Sequence, residues 1–152
     1  MTEFPPLLAI QQLARTYRLL MATFEAQIGH SMPRWRILLL LHQNGEMTQK
    51  RLARDLGMDP AALTRQIKAI ERMGWVSRRG DAADNRLVHV ALTAAGSELV
   101  AQTLPRRSAF IEQAFGDLSG DQLKALSDML RGLEERLLAL APRQEAPDAG
   151  TD

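Results

Sequence analysis

Asp59-Pro60-Ala61-Ala62-Leu63-Thr64-Arg65-Gln66-Ile67-Lys68-Ala69-Ile70-Glu71-Arg72-Met73-Gly74 is the stretch that decides how the rest of the chain is read. An aspartate followed by proline is a helix start. The carboxylate caps free amides, and proline's missing N–H is no loss at the first helical position. Gly74 closes the helix. At ~100° per residue, Leu63, Ile67 and Ile70 gather on one side. Ala61, Arg65, Lys68 and Arg72 fall on the other, with Thr64 at its edge. A helix entering the major groove needs an apolar back to sit on its own domain. Its front needs long cations and small side chains for phosphates and base edges. Arg65 is the expected base reader, because a guanidinium grips guanine O6 and N7 bidentately. Ala61 and Thr64 lie near the helix start, within reach of a thymine methyl, and Lys68 and Arg72 suit phosphates. Asp59 reads as the cap; orienting Arg65 or Lys68 is the alternative.

Working outward, Thr48 caps a short helix, Gln49 to Leu56, closed by Gly57. The two helices make a helix-turn-helix, in which Thr48 and Gln49 also face the candidate DNA. Past Gly74, Trp75 to Arg79 and Leu87 to Leu92 read as two strands, with Val88, Val90 and Leu92 on one face. The polar loop Gly80 to Asn85 joins them into a wing. Arg78, Arg79 and Arg86 stand at the strand ends, where a wing reaches the electronegative minor groove. Asp84 is placed to hold Arg86 by a charge-assisted hydrogen bond. Between Thr48 and Arg86 there are nine basic and five acidic residues, a net +4 within a chain whose total is +1. A basic middle between acidic flanks suits a polyanion.

The flanks are helical. Pro5 and Pro6 precede a first helix in which Leu13, Tyr17, Leu20, Phe24 and Ile28 share a face. The pattern breaks between Gly29 and Pro33. Ser31 reads as the N-cap of a second helix whose run from Trp35 to Leu41 should be central, and Asn44-Gly45 ends it. Thr93 caps a long fifth helix, with Pro105 inside as a kink or break. Ser119-Gly120-Asp121-Gln122 is a capping box. It opens a last helix in which Leu123, Leu126, Leu130, Leu133, Leu137 and Leu140 form an a/d seam. The expected architecture is mainly α with a small β-wing. Residues 33–93 form a winged helix-turn-helix, residues 1–32 and 94–142 a helical dimerisation region, and residues 143–152 a disordered tail. The seam, with Leu13 and Leu20, is more apolar surface than the wing domain covers, which points to a homodimer; an intramolecular helix pair is the other reading.

Three segments carry a family resemblance. Asp84-Asn85-Arg86 followed by Val88-His89-Val90-Ala91-Leu92-Thr93 resembles the wing signature of the MarR family of bacterial transcription regulators. Thr48-Gln49-Lys50-Arg51-Leu52-Ala53 resembles that family's third helix, and Leu63 to Val76 its recognition helix and first wing strand. The likeness runs from the first helix to about Pro142. It implies a winged-helix homodimer on a pseudo-palindromic operator, commonly a repressor released by a small ligand. The wing aspartate and arginine carry over onto Asp84 and Arg86. The family's redox-sensing cysteine branch does not, because there is no cysteine.

Other chemistries lack a sequence basis. Cysteine is absent and aromatic residues are 5% of the chain, against a disulfide scaffold and a stacking platform for single strands. Phosphate-loop, dinucleotide and nucleophile-elbow motifs are missing, so no enzyme and no cofactor are expected. His30, His42 and His89 are scattered, with no zinc spacing, so no metal is expected. There is no run of about 20 apolar residues and no secretion signal at Met1 to Ala9, so a cytoplasmic protein away from membranes is expected. A small aromatic or phenolic ligand is a further expectation. Arg34-Trp35-Arg36 offers an aromatic wall beside guanidinium groups, suited to an aromatic carboxylate, and Tyr17, Arg18 and His30 complete the set. The competing reading puts Trp35 in the core and the arginines in ion pairs or solvent. Two alternatives to a specific regulator stand beside it: non-specific DNA binding, marked by a steep salt slope without sequence preference, and a protein-interaction winged helix.

Overall fold

The computed structural model describes residues 4–142; the tail expected at 143–152 lies outside the described residues. The elements run α1 (Pro5–Ile28), α2 (Met32–Asn44), β1 (Met47–Thr48), α3 (Gln49–Leu56), α4 (Pro60–Arg72), β2 (Val76–Gly80), β3 (Val88–Leu92), α5 (Ala94–Phe115) and α6 (Gly120–Leu140). Two compact units divide the chain, Met1–Glu112 and Gln113–Asp152.

In the first unit, α4 buries the residues its periodicity picked out. Leu63, Ile67 and Ile70 are sealed from solvent with Ile37, Leu38 and Leu41 of α2 and Leu52 and Leu56 of α3. Val76 and Val90 close this core from the sheet side. Each such side chain contributes about 1.5–3 kcal/mol on burial, so the apolar back of α4 is what holds its polar front in place. The Asp59 carboxylate accepts from the Ala62 amide (3.0 Å), so the capping reading is correct. Ser31 occupies the N-cap of α2 as expected, but its side chain makes no capping hydrogen bond.

The sheet departs from expectation. It has three strands, not two, in the order β1-β3-β2, all antiparallel. Met47 pairs with Val90 and Thr48 with His89, while Arg79 faces His89 from the other edge. A two-residue strand shows no period, which is why β1 is invisible in the sequence. Thr48 ends β1 and also caps α3, accepting from the Arg51 amide (3.2 Å).

The start of α5 is locked to the end of α4. Thr93 Oγ1 donates to the Gly74 carbonyl (2.6 Å) and accepts from the Gly96 amide (3.0 Å). A Cβ at Gly96 would lie 2.0 Å from the Trp75 carbonyl oxygen, so only glycine allows this approach. α5 runs through Pro105 without a break. Phe110 on α5 meets Phe24 on α1 edge to face, centroids 5.5 Å apart. α1 buries only Phe24 and Ile28 of its expected apolar face; Leu13 and Tyr17 are exposed.

In the second unit, Ser119 and Gln122 form the expected capping box (3.1 and 2.8 Å). Among the described residues α6 buries none of its leucines. Leu123 and Leu133 are half-buried; Leu126, Leu130 and Leu137 are exposed.

Candidate nucleic-acid interface

The front of α4 is open. Ala61, Arg65, Lys68 and Arg72 are exposed, and Arg72 Nε donates to the Lys68 carbonyl (3.3 Å). Thr64 is tied more closely than its position on the wheel suggests. Its hydroxyl donates to the Pro60 carbonyl (2.9 Å) and accepts from Gln49 Nε2 (3.2 Å). With its one hydrogen and one of its two lone pairs committed, Thr64 offers an outside partner only its methyl and one lone pair. The Gln49–Thr64 bond also clips α3 to α4.

Two arginines considered above for a ligand brace these helices. Arg34 Nε donates to Gln66 Oε1 of α4 (3.0 Å), and an Arg36 nitrogen donates to the Leu56 carbonyl at the end of α3 (3.1 Å). Trp35 between them is 3% exposed and belongs to the core. His30 packs edge-on against Trp75, centroids 4.9 Å apart. Burial first, then the positive charges of Arg34 and Arg106, holds its imidazole below its ordinary pKa. Tyr17 and Arg18 are exposed on α1; Tyr17 stands eleven residues before Ile28, about 16 Å along the axis. Of the six candidate ligand residues, Trp35 is therefore in the core, Arg34 and Arg36 are hydrogen-bonded to the helix-turn-helix, and the charge of Arg34 acts on His30. Ser31 Oγ and Arg107 Nε are buried without a hydrogen-bond partner among the described residues.

The wing arginines differ from one another. Arg78 makes a two-pronged pair with Glu71 of α4 (both 3.0 Å), which fastens β2 to α4. Hydrogen bonding within this pair draws the Glu71 carboxyl below, and the Arg78 guanidinium above, its ordinary pKa. Arg79 is paired with Glu46, with the same directions of shift. Arg86 is 91% exposed, its Nε 3.2 Å from Asp84 Oδ1, and the same oxygen accepts the Arg86 amide (3.0 Å). The expected Asp84–Arg86 contact is therefore present, and the guanidinium is tethered at its base while its edge faces outward.

Asp81 organises the wing tip. Its Oδ1 accepts from the amides of Ala83 (2.8 Å) and Asp84 (3.0 Å), and its Oδ2 lies 2.8 Å from His89 Nε2. The His89 bond, then these two amides, pulls its pKa from 3.8 to about 2. Asp81, Glu46, Glu71 and His89 were missed in the sequence. Only the Glu71–Arg78 spacing, seven residues across a glycine turn, carried a hint.

A helix-turn-helix with a buried back and cationic front, set between β1 and the β2–β3 hairpin of one three-stranded sheet, defines a winged-helix protein. The MarR family model matches residues 30–88. YdgJ of Bacillus subtilis (strain 168), described as an uncharacterized HTH-type transcriptional regulator, is 30% identical over 128 residues, 84% of this chain and 78% of YdgJ. A mutant of E. coli MarR complexed with operator DNA has the same fold, with a TM-score of 0.75 at 20% identity, over 88% of this chain and 99% of that one. So has BpsR of Bordetella bronchiseptica, solved for regulation of its DNA binding by 6-hydroxynicotinic acid, with a TM-score of 0.72 at 23% identity, over 83% and 98%. This chain belongs to the MarR family, and its relatives are transcriptional regulators rather than enzymes. No helix among the described residues is long and apolar enough to cross a membrane.

Proposed function

We propose that the protein is a dimeric, sequence-specific DNA-binding regulator that acts in the cytoplasm as a repressor on a pseudo-palindromic operator. One observation carries this reading: a fully buried apolar back fixes α4 so that Arg65 and Lys68 project outward, beside a wing whose outermost guanidinium, Arg86, is tethered yet open. In this reading Arg65 reads a base pair from the major groove and Arg86 enters the adjacent minor groove. Lys68, Arg72 and the start of α3 at Thr48 and Gln49 contact the backbone. Arg78 and Arg79, committed to Glu71 and Glu46, act mainly by bracing the wing. The helices of residues 1–32 and 94–142 join two copies through the apolar faces left open on α1 and α6, setting two recognition helices about 34 Å apart. Release by a small aromatic acid is supported by the DNA-binding regulation of BpsR and by the positive charges of Arg34 and Arg106 acting at His30.

The test is a titration of the pure protein against labelled DNA from upstream of its own gene, with excess unrelated DNA as competitor. A shift that survives the competitor is expected. Binding abolished by the competitor at every candidate site, with a steep salt slope, would mean non-specific binding, and no affinity for any DNA would mean a protein-interaction module.

A further inference from the structure

His89 stands on β3 between two carboxylates. Its Nε2 lies 2.8 Å from Asp81 Oδ2 and its Nδ1 3.6 Å from Glu46 Oε1. Asp81 comes from the wing loop and Glu46 from the segment entering β1. Arg79, the cross-strand neighbour of His89 on β2, pairs with the same carboxylate through both its oxygens and so shares Oε1 with His89. The imidazole is about four-fifths buried, with 19% of its surface exposed. A neutral imidazole has one N–H and one lone pair, so it donates to one carboxylate and turns a lone pair toward the other. An imidazolium donates to both, through stronger charge-assisted bonds. Asp81, at about 2, and Glu46, below its ordinary value, stay ionised between pH 5 and 8, the window in which imidazole takes up a proton. Arg79 stays a cation throughout. A proton added to the imidazole turns its one lone pair into a second donor and takes the net charge of the four groups from −1 to zero.

What the cluster holds is the wing tip. The second oxygen of Asp81 fixes the amides of Ala83 and Asp84, and Asp84 carries Arg86. A continuous chain of hydrogen bonds thus leads from His89 to the exposed guanidinium. We propose that His89 is a proton-sensitive positioning residue of the wing: its imidazolium ties Asp81 to Glu46, sets the Asp84–Arg86 turn and tightens DNA binding as pH falls from 8 to 6. The affinity part rests on the DNA-binding reading above; the positioning part does not.

Two measurements on the full chain separate them. In isotopically labelled protein without DNA, the Ala83 and Asp84 amide resonances should follow the titration curve of the His89 ring. Amides that stay still while His89 titrates would overturn the proposal without need of any variant. In the second, DNA affinity is read at pH 6 and pH 8 on a site selected from random sequence. The wild type and His42→Gln, a control at an exposed imidazole on α2, should bind at least about fivefold tighter at pH 6. His89→Gln should show no such gain; the full pH dependence in His89→Gln would overturn the link to affinity. A wild type without DNA affinity at either pH would sink the proposed function, and the amide titration would still decide whether His89 positions the wing.

Discussion

Arg65 and Arg86 are held in different ways, and their loss should differ accordingly. Arg65 projects from a rigid helix without an ion pair among the described residues. Arg65→Ala should weaken operator binding by about 1–3 kcal/mol and relax preference at one base pair, read by competition against single-base operator variants. Arg86 is tethered to Asp84 and reaches outward, so Arg86→Ala should weaken binding comparably while erasing preference for A·T steps beside the half-site. Unchanged affinity in both would sink the residue assignment. Asp81 tests the wing from the side of stability. Its folded pKa of about 2 lies below the ordinary 3.8, so the stability it contributes is present above pH 3.8 and is lost as pH falls through about 2. Asp81→Asn should melt lower than wild type at pH 7, and the gap should close between about pH 4 and pH 2. A gap that stays constant over that range would show that the carboxylate charge is not what holds the loop.

Among the elements, α4 was legible and β1 was not, for reasons of scale. Helix caps and a 3.6-residue repeat over thirteen residues are local signals, and Asp59, Leu63, Ile67 and Ile70 carried them fully. The two residues of β1 become a strand only because Val90 and His89 come alongside from forty residues away. The same distance hid Glu46 as the partner of Arg79, and it makes His89 look like a lone histidine until the sheet folds. Trp35 and Arg34 illustrate another limit. Their types suit an aromatic acid, but packing put the ring in the core and a hydrogen bond put the guanidinium on Gln66. The junction of α4, β2 and α5 yields a test of its own. Glycine to alanine inside a helix ordinarily stabilises by about 0.5–1 kcal/mol. At Gly96 the added methyl meets the Trp75 carbonyl at 2.0 Å, so Gly96→Ala should destabilise, by about 1–3 kcal/mol in thermal or urea unfolding. A neutral or stabilising result would mean that the helix shifts freely at this point.

For the whole molecule, α6 is the helix whose leucines find no burial among the described residues. Leu137 is 57% exposed, Leu126 and Leu130 are about two-fifths exposed, and this repeated apolar surface is what a second copy would bury. If two copies pair as proposed, Leu126→Glu with Leu130→Glu should leave a monomer by sedimentation or light scattering. Affinity for a full operator should fall steeply, since one recognition helix then works alone. A double variant that remains dimeric would place the interface elsewhere, and a wild-type monomer would overturn the proposed dimer. The double duty of Thr48, last residue of β1 and cap of α3, has a consequence for the target as well. Because the sheet is stitched to the helix-turn-helix through that residue, wing and reading head form the two jaws of a caliper with a set gap. Such a tool accepts a register and rejects its neighbours. Inserting one base pair between the major-groove and minor-groove contacts of a half-site should then harm binding more than many a base change within either.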